Sequence, residues 1–474
     1  MIYDLNKNYE QNEDQIFDIC IIGAGAAGIS LAKKFSEANL NTALCEAGSL
    51  EYSEESQDIY KGKIVGDKYF DLDVTRLRYL GGSTNHWNGW CRSFEKIDFK
   101  RNYLGKEFQW PISLSDIDSY RDEACKILEI KNDFEFKNQE SPVKKFKFQF
   151  SPPVRFGEKY YDLLSSSKNI KVFLNANFID FEGENRLVKT ALFQNYKKEK
   201  KVISANFFIF AMGGIENPRF LLWLAKKHNE KYFDSNTPIG KYWIEHPNFT
   251  LGKAIVDKKI TDHPFYSISE NEQINSKILS CGFRVNKLSS NSSKSLLKNI
   301  LCVAPKYGEK IASLYKKGFV CGAMFFASWE QKPDIENAVK LSQNLDKFGI
   351  PRVELNWKKT SFDRKTIVES VKIFNEWLIN KDLGRIRLSE WMVNNQAYPD
   401  TNEIGGHHHM GGTRMSINSK FGVVDQNCKV FGSKNIFVAG SSIFTTGGYN
   451  NPTLPIVQFS LRLADHLISK TKGV

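Results

Sequence analysis

The sequence predicts an α/β protein: a Rossmann-like parallel sheet in one domain, and a second domain with a mostly antiparallel sheet and helices on one face. Three observations carry this prediction. An apolar run at residues 17–22 feeds a G-x-G-x-x-G, Gly23, Gly25 and Gly28, with a helix-like stretch at 29–38 behind it. A second apolar run, Thr42 to Cys45, ends in Glu46 and completes a β-α-β unit. Strand-then-glycine patterns then return far downstream, at 207–214 and 435–440.

Each part of the first unit has a physical task. Gly23 permits the tight turn, Gly25 lets backbone amides approach a pyrophosphate, and Gly28 lets the helix pack close to the strand. The helix N-terminus directs its dipole at the phosphates. Glu46, at the end of the second strand, stands where an acid meets ribose hydroxyls, and it would repel a 2′-phosphate. The unit therefore points to a dinucleotide without that phosphate.

Further along, residues 111–130 read as a helix, opened by Trp110-Pro111, with Ile117, Tyr120, Ala124 and Leu128 at helical spacing. Residues 170–215 alternate strands and turns and end in a buried strand, a glycine turn and a helix from about Asn217. From about 250 to 395 strand-like segments at 319–328, 339–341 and 352–357 surround a Ser/Asn/Lys-rich loop at 287–298, and an amphipathic helix follows at 362–380. Trp329, Trp357 and Trp391 could stack on sugar rings, although core packing is the commoner use of such residues.

Composition narrows the class. The 474 residues are 41% hydrophobic and 25% charged, as in ordinary globular domains. The net charge of +12 is spread along the chain with no basic block, which argues against nucleic acid as a partner. Eight cysteines include no C-x-x-C, and Cys20, Cys45, Cys302 and Cys321 sit in apolar runs, so they read as small buried hydrophobes in a reducing compartment. Residues 1–15 are polar with no apolar h-region, and no run reaches about 18 apolar residues, so neither a secretory signal nor a transmembrane helix is expected. The expected location is cytoplasmic.

Two later segments carry chemistry. Residues 405–415 hold three adjacent histidines, His407, His408 and His409. Neighbours in sequence diverge in direction and no cysteine or carboxylate stands at ligand spacing, so no metal is expected; an imidazole is instead a natural acceptor for an alcohol proton. In Gly447 to Pro455, Asn451 is a good N-cap and Pro452 a good first helical residue. The same helix start is a partial positive charge suited to a reduced flavin.

Taken together, these segments resemble the glucose–methanol–choline (GMC) family of flavin oxidoreductases, and among them bacterial sugar or alcohol dehydrogenases and pyranose-oxidase-like members. The resemblance rests on the N-terminal loop, Gly81-Gly82-Ser83-Thr84, residues 211–218, residues 240–247, His409-x-x-Gly412-Thr413 and Asn451-Pro452-Thr453. It implies FAD, a discontinuous FAD-binding domain (1–110, 160–250 and 396–474), and a substrate-binding domain with cap elements (111–159 and 251–395). It assigns to FAD the residues Gly23, Gly25, Ala26, Ala27, Gly28, Glu46, Gly81, Gly82, Ser83, His86, Trp87, Asn88, Phe178, Ala211, Gly440, Ser441, Asn451, Pro452 and Thr453. His86 matches the position that carries a covalent flavin link in some members, and packing beside a noncovalent flavin is the equal alternative. The implied reaction oxidises a CH–OH group of an alcohol or sugar-like substrate by hydride transfer to flavin N5. His409 is implied as the base and Asn451 as hydrogen-bond partner, with no chemistry assigned to His407 or His408. The electron acceptor is open: oxygen, a quinone or a redox protein. A GMC-fold lyase without net redox turnover is the alternative.

Overall fold

A computed structural model describes residues 1–7, 15–136, 142–287, 319–399 and 403–472. All of the 287–298 loop but residue 287 lies outside the described residues, as do Cys302 and the side chain of Cys321.

The first apolar run forms the strand Ile16–Ile22 inside an eight-stranded sheet. Across the sheet the order is Ile2–Asp4, Ile170–Leu174, Thr42–Cys45, Ile16–Ile22, Lys200–Phe210, Leu187–Gln194 and Asn177–Glu184. The first five strands pair in parallel and the last two add an antiparallel meander. Strand Ile436–Val438 joins the end of Lys200–Phe210 in parallel, so the last glycine pattern does return to this sheet. Parallel strands buried on both faces read as continuous apolar runs, which is how they were visible in the sequence.

Helix Ala26–Glu37 follows the first strand and packs against the C-terminal helix Thr453–Lys472. A Cβ on Gly28 would sit 2.0 Å from the Gly23 carbonyl oxygen, so only glycine lets the helix lie this close. The stretch expected as one helix over 111–130 is two short ones, Ser115–Asp118 and Arg121–Ile127. Ile117, Ala124 and Leu128 are nevertheless all fully buried. The spacing located the buried face but not the break in the helix.

A second sheet is wholly antiparallel, in the order Gly384–Leu388, Asn248–Asp257, Phe319–Trp329, Cys281–Asn286, Phe265–Ile268 and Val143–Lys145. Helix Ser361–Asn380 covers one face, where Ile367, Val371, Phe374 and Leu378 meet Phe283 and Phe325 in a core of their own. Thr360 and Asp363 close its N-terminus as a reciprocal capping box. The opposite face carries the alternate residues Gly282, Arg284, Phe326 and Ser328 toward the first domain, with Arg284 opposite Phe326 and Gly282 opposite Ser328.

Strands Ala338–Leu345 and Pro351–Trp357 do not join that sheet. They form a three-stranded one in which Pro351–Trp357 pairs in parallel with Gly62–Gly66, from the first hundred residues. Trp329, Trp357 and Trp391 are all core residues, so none is available for stacking on a ligand.

Candidate active site

A cavity of about 660 Å³ opens where the parallel strands end, the usual ligand position of an open α/β sheet. Its walls include Gly23, Gly25, Ala26, Ala27, Glu46, Gly82, Ser83, His86, Trp87, Asn88, Phe178, Ala211, Gly440, Ser441, Asn451, Pro452 and Thr453. Of the nineteen residues expected to contact a cofactor, only Gly28 and Gly81 stand behind the wall. Gly28 packs on Gly23, as described. Gly81 has φ +95° and little room: a Cβ there would meet the Gly157 nitrogen at 2.6 Å, and its own amide donates to the Ala24 carbonyl at 2.9 Å.

Local bonding fixes the first end of this cavity. Glu46 is buried, and its two carboxylate oxygens accept the amides of Ala24 and Gly48, both at 2.9 Å. Arg76, on the wall, donates to Glu216 at 2.7 Å, and Glu216 also accepts from Arg219 at 2.8 Å. Burial pushes the Glu216 carboxyl up, but the two guanidiniums outweigh it and hold the group at about 2. Asn217 accepts from the Met212 amide and donates to the Ala439 carbonyl and the Ser442 hydroxyl. One side chain thus ties the glycine turn at 211–214 to that at 439–442.

At the other end, the three histidines part company. The chain from His408 to Met410 runs extended against Ile244, so successive side chains alternate in direction. His407 turns its ring onto Phe70. His408 Nε2 lies 3.0 Å from Asn451 Nδ2, and His408 Nδ1 lies 2.8 Å from His246 Nδ1. His246 Nε2 in turn lies 3.3 Å from the Gly447 carbonyl oxygen, which can only accept. That carbonyl sets the tautomers of the whole row: His246 donates from Nε2 and accepts at Nδ1, and His408 donates from Nδ1. The Nε2 lone pair of His408 is left facing Asn451. Burial first, then the neighbouring imidazoles, hold His408 well below its ordinary value, so it is neutral. Burial likewise lowers His246, to about 4.

His409 faces the other way. Its Nε2 lies 3.1 Å from the Tyr69 hydroxyl, and its ring lies against Trp243. Tyr69 donates to Glu245 Oε2, while Glu245 Oε1 accepts the amides of His246 and His408 at 2.9 and 2.8 Å. The side chain that meets Asn451 is that of His408, and His409 lies in a row with Tyr69 and Glu245. Tyr69, Glu245, His246 and His408 were all missed as site residues. No motif signalled His408, since only His409 heads H-x-x-G-T; the residue after Gly411 is Gly412.

The comparisons with known proteins bear on this arrangement. The family model described as GMC oxidoreductase matches residues 333–460. The chain is similar to the fructose dehydrogenase large subunit of Gluconobacter japonicus, 23% identical over 309 residues, or 62% of this chain and 53% of that protein. It is also similar to 2-methyl-1,2-propanediol dehydrogenase of Mycolicibacterium austroafricanum, 25% identical over 278 residues, or 56% and 48%. The chain thus spans about half the length of these curated relatives. The GMC oxidoreductase match lies in the C-terminal part of the chain, residues 333–460.

Solved structures share its fold. Formate oxidase of Aspergillus oryzae has a TM-score of 0.58 at 16% identity, with 98% of this chain and 100% of that one covered. Pyridoxine 4-oxidase of Mesorbium loti has a TM-score of 0.58 at 14% identity, with 95% and 99% covered. FAD is the GMC cofactor, and the residues here fit it. A Cβ on Gly25 would have nothing within 4 Å, so that glycine serves no packing need of the protein and keeps open ground beside the helix N-terminus for a pyrophosphate. Glu46 offers its remaining lone pairs to ribose hydroxyls from a fixed position. Among the described residues, no helix is long and apolar enough to cross a membrane.

Proposed function

We propose that this protein is a GMC oxidoreductase that oxidises the CH–OH group of an alcohol or sugar-like substrate to a carbonyl, with His408 as the base and Asn451 as its hydrogen-bond partner. The observation that carries the proposal is the row Gly447 carbonyl, His246, His408, Asn451 at the cavity wall. Bound FAD supplies the acceptor for the hydride that leaves carbon. The protein's part is to hold the hydroxyl and remove its proton. The substrate hydroxyl replaces the Asn451 amide at His408 Nε2, which accepts the proton while Nδ1–H stays bonded to His246, so the ring does not turn as it becomes charged. The Asn451 amide donates to the substrate oxygen as negative charge builds there, and the start of helix Thr453–Lys472 adds its dipole. The named relatives are dehydrogenases and oxidases, which favours oxidation over the lyase alternative.

The test is anaerobic mixing of the yellow protein with a panel of alcohols and sugars, following loss of the visible flavin band. At least one compound bleaches the wild type. His408→Ala retains FAD but bleaches about 10²–10⁴-fold more slowly, the usual worth of a positioned base. His409→Ala stays within about tenfold of wild type, since its loss leaves the proton acceptor in place. A colourless protein that takes up no FAD, or His408→Ala bleaching at the wild-type rate, would overturn the proposal. His86 lines the cavity and is exposed, and acid precipitation decides its link to FAD: colour kept in the pellet is covalent.

A further inference from the structure

Facing the site from the second sheet is a charge that the reaction above does not use. Arg284 lies on strand Cys281–Asn286, opposite Phe326, and lines the cavity. Its guanidinium carbon is 4.6 Å from the ring centre of Phe326 and 5.5 Å from that of Trp90. The other charged residues on the wall are satisfied: Arg76 by Glu216, Arg78 by Asn177 and Tyr196, and Glu46 by two amides. The Arg284 guanidinium, among the described residues, has no hydrogen bond and no ion pair. A half-buried guanidinium without a counter-charge is costly to keep, and aromatic faces offset only part of that cost.

We propose that Arg284 binds an oxyanion, a carboxylate or phosphate, on the substrate, so that the enzyme acts on anionic alcohols. This rests on the reading of the site as an alcohol-oxidising centre. Three features support it. A planar fork with five donors matches two oxyanion oxygens, and its weaker hydration makes it the cation best suited to such a wall. The two rings on either side hold the fork in place before any ligand arrives, which reduces the entropy lost on binding. The spacing also suits one small molecule. Gly282, two residues earlier on the same face, lies so close to Tyr449 that a Cβ would come within 2.6 Å of its ring, and Tyr449 is two residues before Asn451. Arg284 is thus roughly 7 Å farther along the strand than that contact. Phe146, Phe148 and Phe265 fill the wall beside it, which suits a ring or apolar body between the hydroxyl and the anion.

The test titrates the FAD-loaded protein with dead-end ligands, read by calorimetry and by the flavin spectrum, so that it does not depend on turnover. Benzoate and phenyl phosphate are the anionic probes, and benzamide is the neutral one. At least one anion binds about 10–100-fold tighter than benzamide, and added salt weakens it alone. The tighter of the two identifies carboxylate or phosphate. Arg284→Gln removes the anion's advantage and leaves benzamide unchanged, while Arg284→Lys retains part of it. Anions that bind no tighter than benzamide in the wild type, or an Arg284→Gln protein that binds them as wild type does, would overturn the inference. If Arg284→Gln does not fold, Arg284→Lys and the salt dependence decide. Failure here with normal bleaching by neutral alcohols removes only the anion. Failure of bleaching by every alcohol removes the reading on which it rests.

Discussion

At the scale of single residues, the site is defined by which nitrogen of each histidine holds a proton. The Gly447 carbonyl fixes His246, His246 fixes His408, and only then does His408 present a lone pair to the substrate side. His246 is therefore a positioning residue, and its removal has a readout that mere packing would not. His246→Ala admits water beside His408 and relieves its burial, the main cause of its lowered pKa. The acid limb of kcat/KM, which lies below pH 6.5 in the wild type, moves up by about one pH unit in the variant. A slower enzyme with an unmoved pH profile would reduce His246 to a packing role. The sequence named residues that line the cavity almost one by one, because G-x-G-x-x-G and its companion loops work through backbone at fixed offsets. It named His409, whereas the side chain that meets Asn451 is that of His408. The direction of each histidine side chain follows from contacts with Asn451, His246 and Tyr69, which the spacing of H-x-x-G-T does not name. Arg284 and Tyr69 had no motif at all; their surroundings come from residues distant in sequence, Phe326 and Trp90 for Arg284 and Glu245 and His409 for Tyr69.

Elements show the same division between local and distant causes. Strands Ile16–Ile22 and Thr42–Cys45, with helices Ala26–Glu37, Ser361–Asn380 and Thr453–Lys472, follow from apolar period and cap residues. The pairing of Pro351–Trp357 with Gly62–Gly66 does not, because nothing in either segment names its partner. The loop before helix Ala26–Glu37 offers a test of what each glycine is for. Gly28 faces the Gly23 carbonyl at a distance no Cβ tolerates, so Gly28→Ala forces helix and strand apart. The expected cost is about 1–3 kcal/mol in stability, seen as a lower Tm even without FAD. Gly25 has a φ of −87° and open space around its Cα, so Gly25→Ala folds with an unchanged Tm in the FAD-free protein. That variant instead loses FAD affinity, because the added methyl stands where the pyrophosphate approaches. Similar Tm losses for both variants would mean that Gly25 is as structural as Gly28.

Across the whole molecule, the two cores are joined by a buried polar knot with a pH dependence of its own. Arg101 is fully buried; one of its amino groups lies 2.7 Å from Glu330, beside Trp329 of the second sheet, and 3.3 Å from Asp98. Burial, then the nearby Glu330 charge, lifts the Asp98 carboxyl from its ordinary 3.8 to about 7, and burial lifts Glu330 as well. A folded-state pKa raised in this way means that the folded protein holds a proton the unfolded chain has already released. The resulting stability is full below about pH 4 and is lost as pH rises through 7. Arg101 matters most where the acids are ionised, so Arg101→Leu gives a cost that depends on pH. At pH 8 the variant leaves two buried carboxylates without their cation, and about 3–5 kcal/mol is lost. At pH 5 Asp98 is already protonated, a smaller charge is stranded, and the loss is correspondingly smaller. Thermal unfolding of wild type and variant at the two pH values checks this: the gap in Tm widens toward alkaline pH. A gap that stays constant would show that Arg101 contributes volume to this junction and not charge.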